Sequence, residues 1–188
     1  MRTRVTELDP DRVAAEGGDF DAMVRVWRPK VFRFALAWLN DSDAAETVTQ
    51  DCFLKAFRSL DGFRRECSLE TWLMQIAVNL LRDYRRNRRF QFWKRSCESS
   101  EPLEDARDRI AGTGKSPEAQ ALLDEKVRAV WQAAGNLPDR QRTIFLLRFV
   151  EDMDLIEIAT ATGLKEGTVK AHLFSAVRNV RRQMEAGA

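Results

Sequence analysis

The chain contains few of the residues that build disulfide frameworks, metal centres and nucleophilic active sites. Its 188 residues include three cysteines and one histidine. Cys52, Cys67 and Cys97 are odd in number and far apart, and no Cys-x-x-Cys pair occurs. This pattern supports neither disulfide pairing nor a zinc tetrad. We therefore predict no metal and no cofactor, and we expect the protein to reside in a reducing cytoplasm.

Long hydrophobic runs and strand-like patterns are also absent. No apolar stretch approaches the about 18 residues that a membrane span needs, and residues 1–7 lack the apolar segment of a secretion signal. Apolar residues instead recur every three or four positions along most of the chain, which is typical of amphipathic helices. The sequence therefore predicts an all-α protein without membrane insertion, and its 44% hydrophobic content suffices for two small cores.

The helical pattern fades between residues 96 and 116, where Gly112 and Gly114 appear and acidic residues outnumber basic ones. We interpret this stretch as a flexible acidic linker. The predicted organisation is an amino-terminal helical domain at 1–95 and a carboxy-terminal domain at 117–188. The second domain should be a four-helix unit whose first helix starts at Ser116-Pro117-Glu118.

Within the first domain, breaker and cap residues predict the helix bounds. A short helix should cover 11–16, and a longer one should start at Asp19 and be kinked or restarted at Pro29. The next helix should begin at a cap pattern, Asp43-Ala44-Ala45-Glu46. The apolar stripe predicted to be buried on that helix consists of Ala45, Val48, Cys52, Ala56 and Phe57. A loop at 63–68 should follow, with Ser68 capping the last long helix of the domain.

The outer face of the helix that begins near Asp43 combines Leu54 with the polar residues Thr47, Gln50, Asp51 and Arg58. A leucine among polar groups on an outer helix face suggests contact with another protein. A single exposed leucine is also a normal surface feature, so spacing alone leaves both interpretations open.

The carboxy-terminal end carries a helix-turn-helix pattern. Asp154 and Glu157 form a capping-box pair, Gly163 suits the positive φ of a helix end, and a second helix follows. On that helix an apolar face is predicted from Val169, Leu173, Ala176, Val177 and Val180. The polar face that remains is suited to a DNA major groove, although an ordinary helix pair with a solvated basic surface remains the alternative.

Two basic segments underlie a net charge of only +2. Residues 82–95 hold seven basic residues against one acid, and residues 165–182 hold five against one. Aromatic residues lie in and around the first segment, namely Trp72, Tyr84, Phe90, Phe92 and Trp93. Arginines neutralise phosphates and aromatic faces stack on unpaired bases, so this segment is suited to separated strands. The spacing of Trp72 with Ile76 and Leu80 equally fits a core position.

Four blocks of the chain, in order, resemble the extracytoplasmic-function group of bacterial sigma factors. The blocks are residues 43–57, which include Asp43-Ala44-Ala45-Glu46 and Gln50-Asp51-Cys52-Phe53-Leu54; residues 68–79; Leu137-Pro138-Asp139-Arg140-Gln141-Arg142; and Gly167-Thr168-Val169-Lys170. The resemblance implies a transcription initiation factor that is not an enzyme. Its implied partners are core RNA polymerase, double- and single-stranded promoter DNA, and a separate anti-sigma factor.

The same resemblance implies three sets of site residues. The polymerase-binding set is Glu46, Thr47, Gln50, Asp51 and Leu54. The set for the start-proximal promoter element is Phe63, Arg64, Arg65, Ser68, Trp72, Asn79, Asp83, Arg86 and Arg89. The set for the upstream element, on the recognition helix, is Thr168, Lys170, Ala171, His172, Phe174, Ser175 and Arg178.

Two other interpretations of the sequence compete with this one. A stand-alone regulator of the response-regulator type could use the same recognition helix, but the α/β receiver pattern that should precede it is absent and the arginine-aromatic segment would have no purpose. A nucleic-acid enzyme would need His172 and scattered carboxylates to act together, and the sequence contains no paired constellation of that kind.

Overall fold

The structure is a computed structural model that describes residues 20–96 and 127–186, with side chains described outside 88–96. All regular secondary structure in these ranges is helical. The helices are α1 (Phe20–Leu39), α2 (Ser42–Ser59), a 3₁₀ turn (Leu60–Gly62), α3 (Leu69–Ser96), α4 (127–135), α5 (Asp139–Phe149), α6 (Leu155–Thr162) and α7 (Glu166–Ala186). The helix predicted at 11–16, nearly all of the linker at 96–116 and the helix start at Ser116 lie outside the described residues.

Helix α1 runs without interruption through Pro29, so of the two predicted alternatives, a kink or a restart, the restart is wrong and the kink stays a prediction. A proline inside a helix removes one backbone hydrogen bond and crowds the preceding turn. Packing offsets this cost, because the helix buries an apolar stripe on both sides of the proline. The buried residues of α1 are Met23, Trp27, Val31, Phe34, Ala35 and Trp38.

Helix α2 differs from the sequence prediction in its cap and in its last turn. The cap is Asp41 instead of Asp43, since an Asp41 carboxylate oxygen accepts a hydrogen bond from the Ala44 amide at 3.0 Å. Phe57 was predicted to be buried but is 62% exposed, whereas Phe53 is buried. Successive helix residues are about 100° apart, so Phe57 lies well around the helix from Ala56 at the centre of the buried stripe.

The carboxy-terminal helix-turn-helix has the predicted caps. Asp154 accepts hydrogen bonds from the Ile156 and Glu157 amides at 2.8 Å, and the Glu157 carboxylate accepts one from the Asp154 amide at 2.8 Å. Gly163 ends α6 at φ 68°, in the left-handed region that glycine adopts without strain. The predicted apolar face of α7 is confirmed, with Val169, Ala176 and Val180 buried. These local bonds fix where α6 ends and α7 begins.

The helices form two modules that also pack against each other. Helices α1, α2 and α3 pack together in the first module, and α5, α6 and α7 pack together in the second. Between the modules, α3 packs against α6 and α1 packs against α5. The buried apolar residues of both modules therefore form one continuous cluster, which runs from Phe34 and Leu73 to Ile144 and Ile158.

Candidate nucleic-acid and partner interfaces

The predicted polymerase-binding residues lie on one face of α2. Thr47, Gln50, Asp51 and Leu54 are exposed, with Leu54 at 47%, and Glu46 is half-buried. Phe57 belongs to the same face, because it lies eleven positions after Glu46 and three full turns bring it back to nearly the same direction. The face therefore presents two exposed apolar side chains beside polar ones. Sequence reasoning missed Phe57 by assigning it to the buried stripe.

Two residues of this face are oriented by hydrogen bonds within the chain. A Glu46 carboxylate oxygen accepts a hydrogen bond from the Gln50 amide at 3.0 Å and another from the Arg28 guanidinium at 2.6 Å. The hydrogen bond from Gln50, which has the larger effect, and the one from Arg28 both lower the pKa of the Glu46 carboxyl. The Phe57 ring packs edge-on against Phe20 at a centroid distance of 5.1 Å, which braces it from α1. The face is thus partly preorganised.

The predicted start-proximal residues cluster along one side of α3 and the loop before it. Trp72, Asn79, Asp83 and Arg86 are spaced by seven, four and three positions, and this spacing aligns them on one helix face. Asn79 and Arg86 are exposed, and Asp83 pairs with Arg86 at 3.2 Å. The Arg89 side chain lies outside the described residues. The described part of this face therefore combines an aromatic ring, an amide and charged groups.

The loop at 63–68 joins the amino-terminal end of that face. The Phe63 ring stacks at a tilt on Trp72 with centroids 4.8 Å apart, and both residues are half-buried. Trp72 is therefore neither a fully buried core residue nor a free surface residue. The Ser68 hydroxyl accepts a hydrogen bond from the Thr71 amide at 3.1 Å, which confirms it as the cap of α3.

Backbone conformation singles out Arg65 within this loop. Arg64 and Arg65 are exposed, and Arg65 has φ 55°. A non-glycine residue in the left-handed region carries a conformational cost and occurs preferentially at functional sites. The loop therefore contains two exposed arginines directly after Phe63, whose ring stacks on Trp72.

The recognition helix α7 exposes most of the predicted upstream set. Thr168, Lys170, Ala171, Phe174 and Arg178 are exposed, whereas His172 and Ser175 are half-buried. Phe174 is 69% exposed, so its ring is accessible for contact with DNA or a partner. Lys170 forms an ion pair with Glu166, one turn earlier, at 2.6 Å. Sequence reasoning left Glu166 out of the site, although its i, i+4 spacing with Lys170 was a usable signal.

Neither metal chemistry nor a membrane span is indicated within the part of the chain that the structure describes. No group of three histidine, cysteine, aspartate or glutamate side chains there is arranged to hold a metal ion. In residues 20–96 and 127–186, every helix is too short or too polar to cross a bilayer.

Comparisons with known proteins identify both modules. The model of sigma-70 region 2 matches residues 23–91, and the model of sigma-70 region 4 matches residues 127–180. RNA polymerase sigma-H factor of Pseudomonas aeruginosa is 30% identical over 170 residues, which cover 88% of this chain and 86% of that protein. ECF RNA polymerase sigma factor SigW of Bacillus subtilis is 26% identical over 170 residues, which cover 89% of this chain and 91% of that protein.

Two solved structures share the fold. The sigma factor RpoE of Bartonella quintana, solved with the anti-sigma factor NepR, aligns with a TM-score of 0.73 at 21% identity and covers 89% of this chain and 97% of that one. CnrH, solved with the cytosolic domain of CnrY, aligns with a TM-score of 0.66 at 22% identity and covers 96% of this chain and 100% of that one.

The matched regions define a bacterial sigma-70-type factor built from a region 2 module and a region 4 module. The chain belongs to the extracytoplasmic-function subfamily of RNA polymerase sigma factors. It is accordingly a transcription initiation factor that binds core RNA polymerase and directs it to promoters. The match of the first module to region 2 disfavours the stand-alone regulator, whose amino-terminal domain would be of another kind.

Proposed function

We propose that three exposed surfaces of this chain divide the work of initiation. The outer face of α2 docks on core RNA polymerase. The 63–68 loop and α3 hold the start-proximal promoter element, including a base taken out of the stack. Helix α7 reads the upstream element as duplex. The corresponding domain limits are 1–95 and 117–188, and the acidic stretch at 96–116 joins them.

The observation that carries this proposal is the difference in chemistry between two DNA-facing surfaces of one chain. The α3 surface combines the Trp72 and Phe63 rings with Asn79 and exposed arginines. Rings stack on unpaired bases, and an amide pairs with a base edge. Helix α7 follows a capped α6 and a tight turn, the arrangement that inserts a helix into a major groove. One surface suits separated strands and the other suits duplex, as promoter opening requires.

The chain supplies binding groups, and the polymerase performs the phosphoryl transfer. Burial raises the pKa of the Cys52 thiol to about 12, and its Sγ faces the Leu73 carbonyl at 3.6 Å, so this thiol stays protonated. Burial also raises the pKa of the Cys67 thiol. Neither thiol has the lowered pKa of a nucleophile. We therefore propose that the protein is not an enzyme. We also propose that it works in the cytoplasm, because its partner, core RNA polymerase, is located there.

An anti-sigma factor is the proposed regulator. A structural relative, RpoE of Bartonella quintana, was solved in complex with the anti-sigma factor NepR. By analogy, we propose that a separate protein of this kind holds the present chain inactive and competes with polymerase for it. Affinity purification of the chain from cells, in fractions that contain no polymerase, would recover such a partner.

Reconstitution with core RNA polymerase tests the proposed function. Adding the purified chain should create new transcript start sites, mapped across a bacterial genome by sequencing of RNA 5′ ends. Leu54→Ala should weaken polymerase association in the absence of DNA. Ile156→Ala removes another exposed aliphatic side chain, 67% exposed, but from the second module, and should leave that association unchanged. No association and no redirected starts with the unaltered chain would refute the proposal.

A further inference from the structure

The outward side of the recognition helix α7 begins with three apolar residues in a row. Gly167, Ala171 and Phe174 are exposed and are spaced by four and three positions, so they lie on successive turns of the same side. Ala171 stands nine positions, or two and a half turns, before the buried Val180, which places this side opposite the core. The three residues are called the apolar line below.

The apolar line offers no hydrogen-bonding side chain to a ligand. Gly167 has no side chain, and an added Cβ there meets nothing within 4 Å, so the position lies open. Ala171 has only a methyl group, and Phe174 has an apolar ring that is 69% exposed. The line covers seven residue steps, or about 10 Å along the helix axis. The outermost part of the first half of α7 is therefore apolar.

Exposed cations surround the apolar line. Helix α7 has two acidic residues, Glu166 and Glu185, and a larger number of exposed basic ones, which are Lys170, Arg178, Arg181 and Arg182. Basic side chains neutralise the phosphates on both edges of a DNA groove. The apolar line thus lies within a basic surface, which favours a nucleic acid over an apolar protein partner as its ligand.

The major groove of B-DNA contains one apolar feature that such a line can contact. Guanine, adenine and cytosine present only hydrogen-bond donors and acceptors there, whereas thymine also presents its C5 methyl group. Alanine and phenylalanine side chains contact this methyl group, while guanine and adenine are read by hydrogen-bonding side chains. The amino-terminal residues of a recognition helix are the ones that reach base edges. The chemistry of the apolar line therefore matches thymine.

We infer that Ala171 and Phe174 read thymine in the upstream element through apolar contact with its C5 methyl groups. This inference rests on the proposed function of α7 as the helix that reads this element as duplex. Phe174 supplies a large apolar surface, and the small side chain of Ala171 lets the helix approach the base edges closely. Contacts from Lys170 and Arg178 to phosphates position the helix but carry no sequence information.

The test replaces thymine by deoxyuridine, which pairs with adenine in the same way and lacks only the methyl group. The probe is a synthetic promoter duplex from a start site mapped with the full chain and core RNA polymerase, and footprinting of that complex locates its upstream element. Gel-shift titration under conditions that keep the duplex closed should show binding weakened about fourfold for each contacted methyl group. The same replacement between the two promoter elements should change binding little.

Two variants of α7 separate methyl contact from general affinity for DNA. Phe174→Ala should reduce the ratio of thymine to uracil affinity about fourfold, the value of one methyl contact. Phe174→Leu keeps a large apolar side chain and should retain most of this ratio. Lys170→Ala is the matched control, one turn before Phe174 and also exposed. It should weaken binding to both duplexes equally, because phosphate contacts are the same in both.

Several outcomes would overturn thymine recognition without affecting the proposed function. These are an upstream element without thymine, equal binding of the thymine and uracil duplexes, and a thymine preference that Phe174→Ala leaves unchanged. The uracil comparison requires no protein variant, so it is decisive even if Phe174→Ala fails to fold. Weaker association of Phe174→Ala with core polymerase in the absence of DNA, at an unchanged ratio, would assign the ring to a protein contact instead.

Failure of the proposed function gives a different result. A chain that does not redirect transcription by core RNA polymerase refutes the proposed function, and thymine recognition with it. A chain that redirects transcription but binds the uracil duplex as tightly as the thymine duplex refutes thymine recognition alone.

Discussion

Asn79 carries the most specific role proposed for a single side chain. It is exposed on α3, one turn before Asp83 and on the same face as Trp72. An amide there can pair with the edge of an unstacked base, which duplex DNA does not offer. Its contribution should therefore appear at promoter opening and not at the initial encounter.

Asn79→Ala should reduce promoter opening several-fold while closed-complex formation with polymerase changes little. A good polar contact to a base is worth about 1–3 kcal/mol, or roughly fivefold to a hundredfold. Permanganate reactivity of thymines near the start site measures opening, and a gel shift measures the closed complex. Gln132→Ala removes an exposed amide from the second module and serves as control. Full permanganate reactivity with Asn79→Ala would exclude the proposed role.

The pair of Glu166 and Lys170 predicts an unusual gain in DNA binding. At 2.6 Å the carboxylate competes with phosphates for the lysine. Glu166→Gln should tighten binding to upstream-element duplex about two- to fivefold at low salt, because exposed pairs are weak and salt screens them. Glu185→Gln makes the same charge change near the other end of α7, about 28 Å along the axis, and should have little effect. Equal gains from both variants, measured by fluorescence anisotropy, would indicate only a general charge effect.

At the scale of single elements, two glycines of the helix-turn-helix should respond to alanine with opposite signs. An added Cβ meets nothing within 4 Å at Gly163 or Gly167, so space does not distinguish them. Gly163 has φ 68°, whereas Gly167 lies within α7. Gly163→Ala should lower the free energy of unfolding by about 1 kcal/mol, and Gly167→Ala should raise it by up to about 1 kcal/mol. Urea unfolding followed by circular dichroism measures both free energies. Changes of the same sign would contradict the assignment of a left-handed backbone to Gly163 and a helical backbone to Gly167.

Helix α2 offers a similar contrast between two phenylalanines. Phe53 is 7% exposed and Phe57 is 62% exposed. Phe53→Ala should cost about 3–5 kcal/mol of stability by leaving a cavity. Phe57→Ala should cost much less but should weaken association with core polymerase, because the ring lies on the face with Leu54 and Gln50. Thermal unfolding and a pull-down with core polymerase separate the two effects. Polymerase binding that survives Phe57→Ala would remove this residue from the docking face.

At the scale of the whole molecule, the hydrogen bond from Trp38 to Thr143 should couple the stability of the two modules. Thr143→Val leaves the buried indole N–H without its acceptor, which costs about 1–3 kcal/mol. Trp38→Phe removes the donor, and the double variant should cost clearly less than the sum of the single variants, since both polar partners are then gone. Denaturant unfolding of all four proteins completes this cycle. Strictly additive losses would show that the bond does not link the modules.

Most of the local structure of the chain follows from residues that are close together in sequence. The capping box at Asp154 and Glu157, the positive φ of Gly163 and the apolar face of α7 depend on residues within a few positions of one another. The same is true of the Ser68 cap. Short-range hydrogen bonds and helix periodicity decide such features, so they were predicted, as were the all-helical fold and, through family resemblance, the functional class.

How the helices pack determines which residues far apart in sequence come into contact. The Phe57 ring is exposed because the neighbouring helices do not cover that side of α2. The Arg33–Glu151 and Trp38–Thr143 contacts join positions more than 100 residues apart. No periodicity or spacing encodes such pairs, because a long-range contact depends on how whole helices pack. The packing of the two modules against each other is therefore a property of the folded chain.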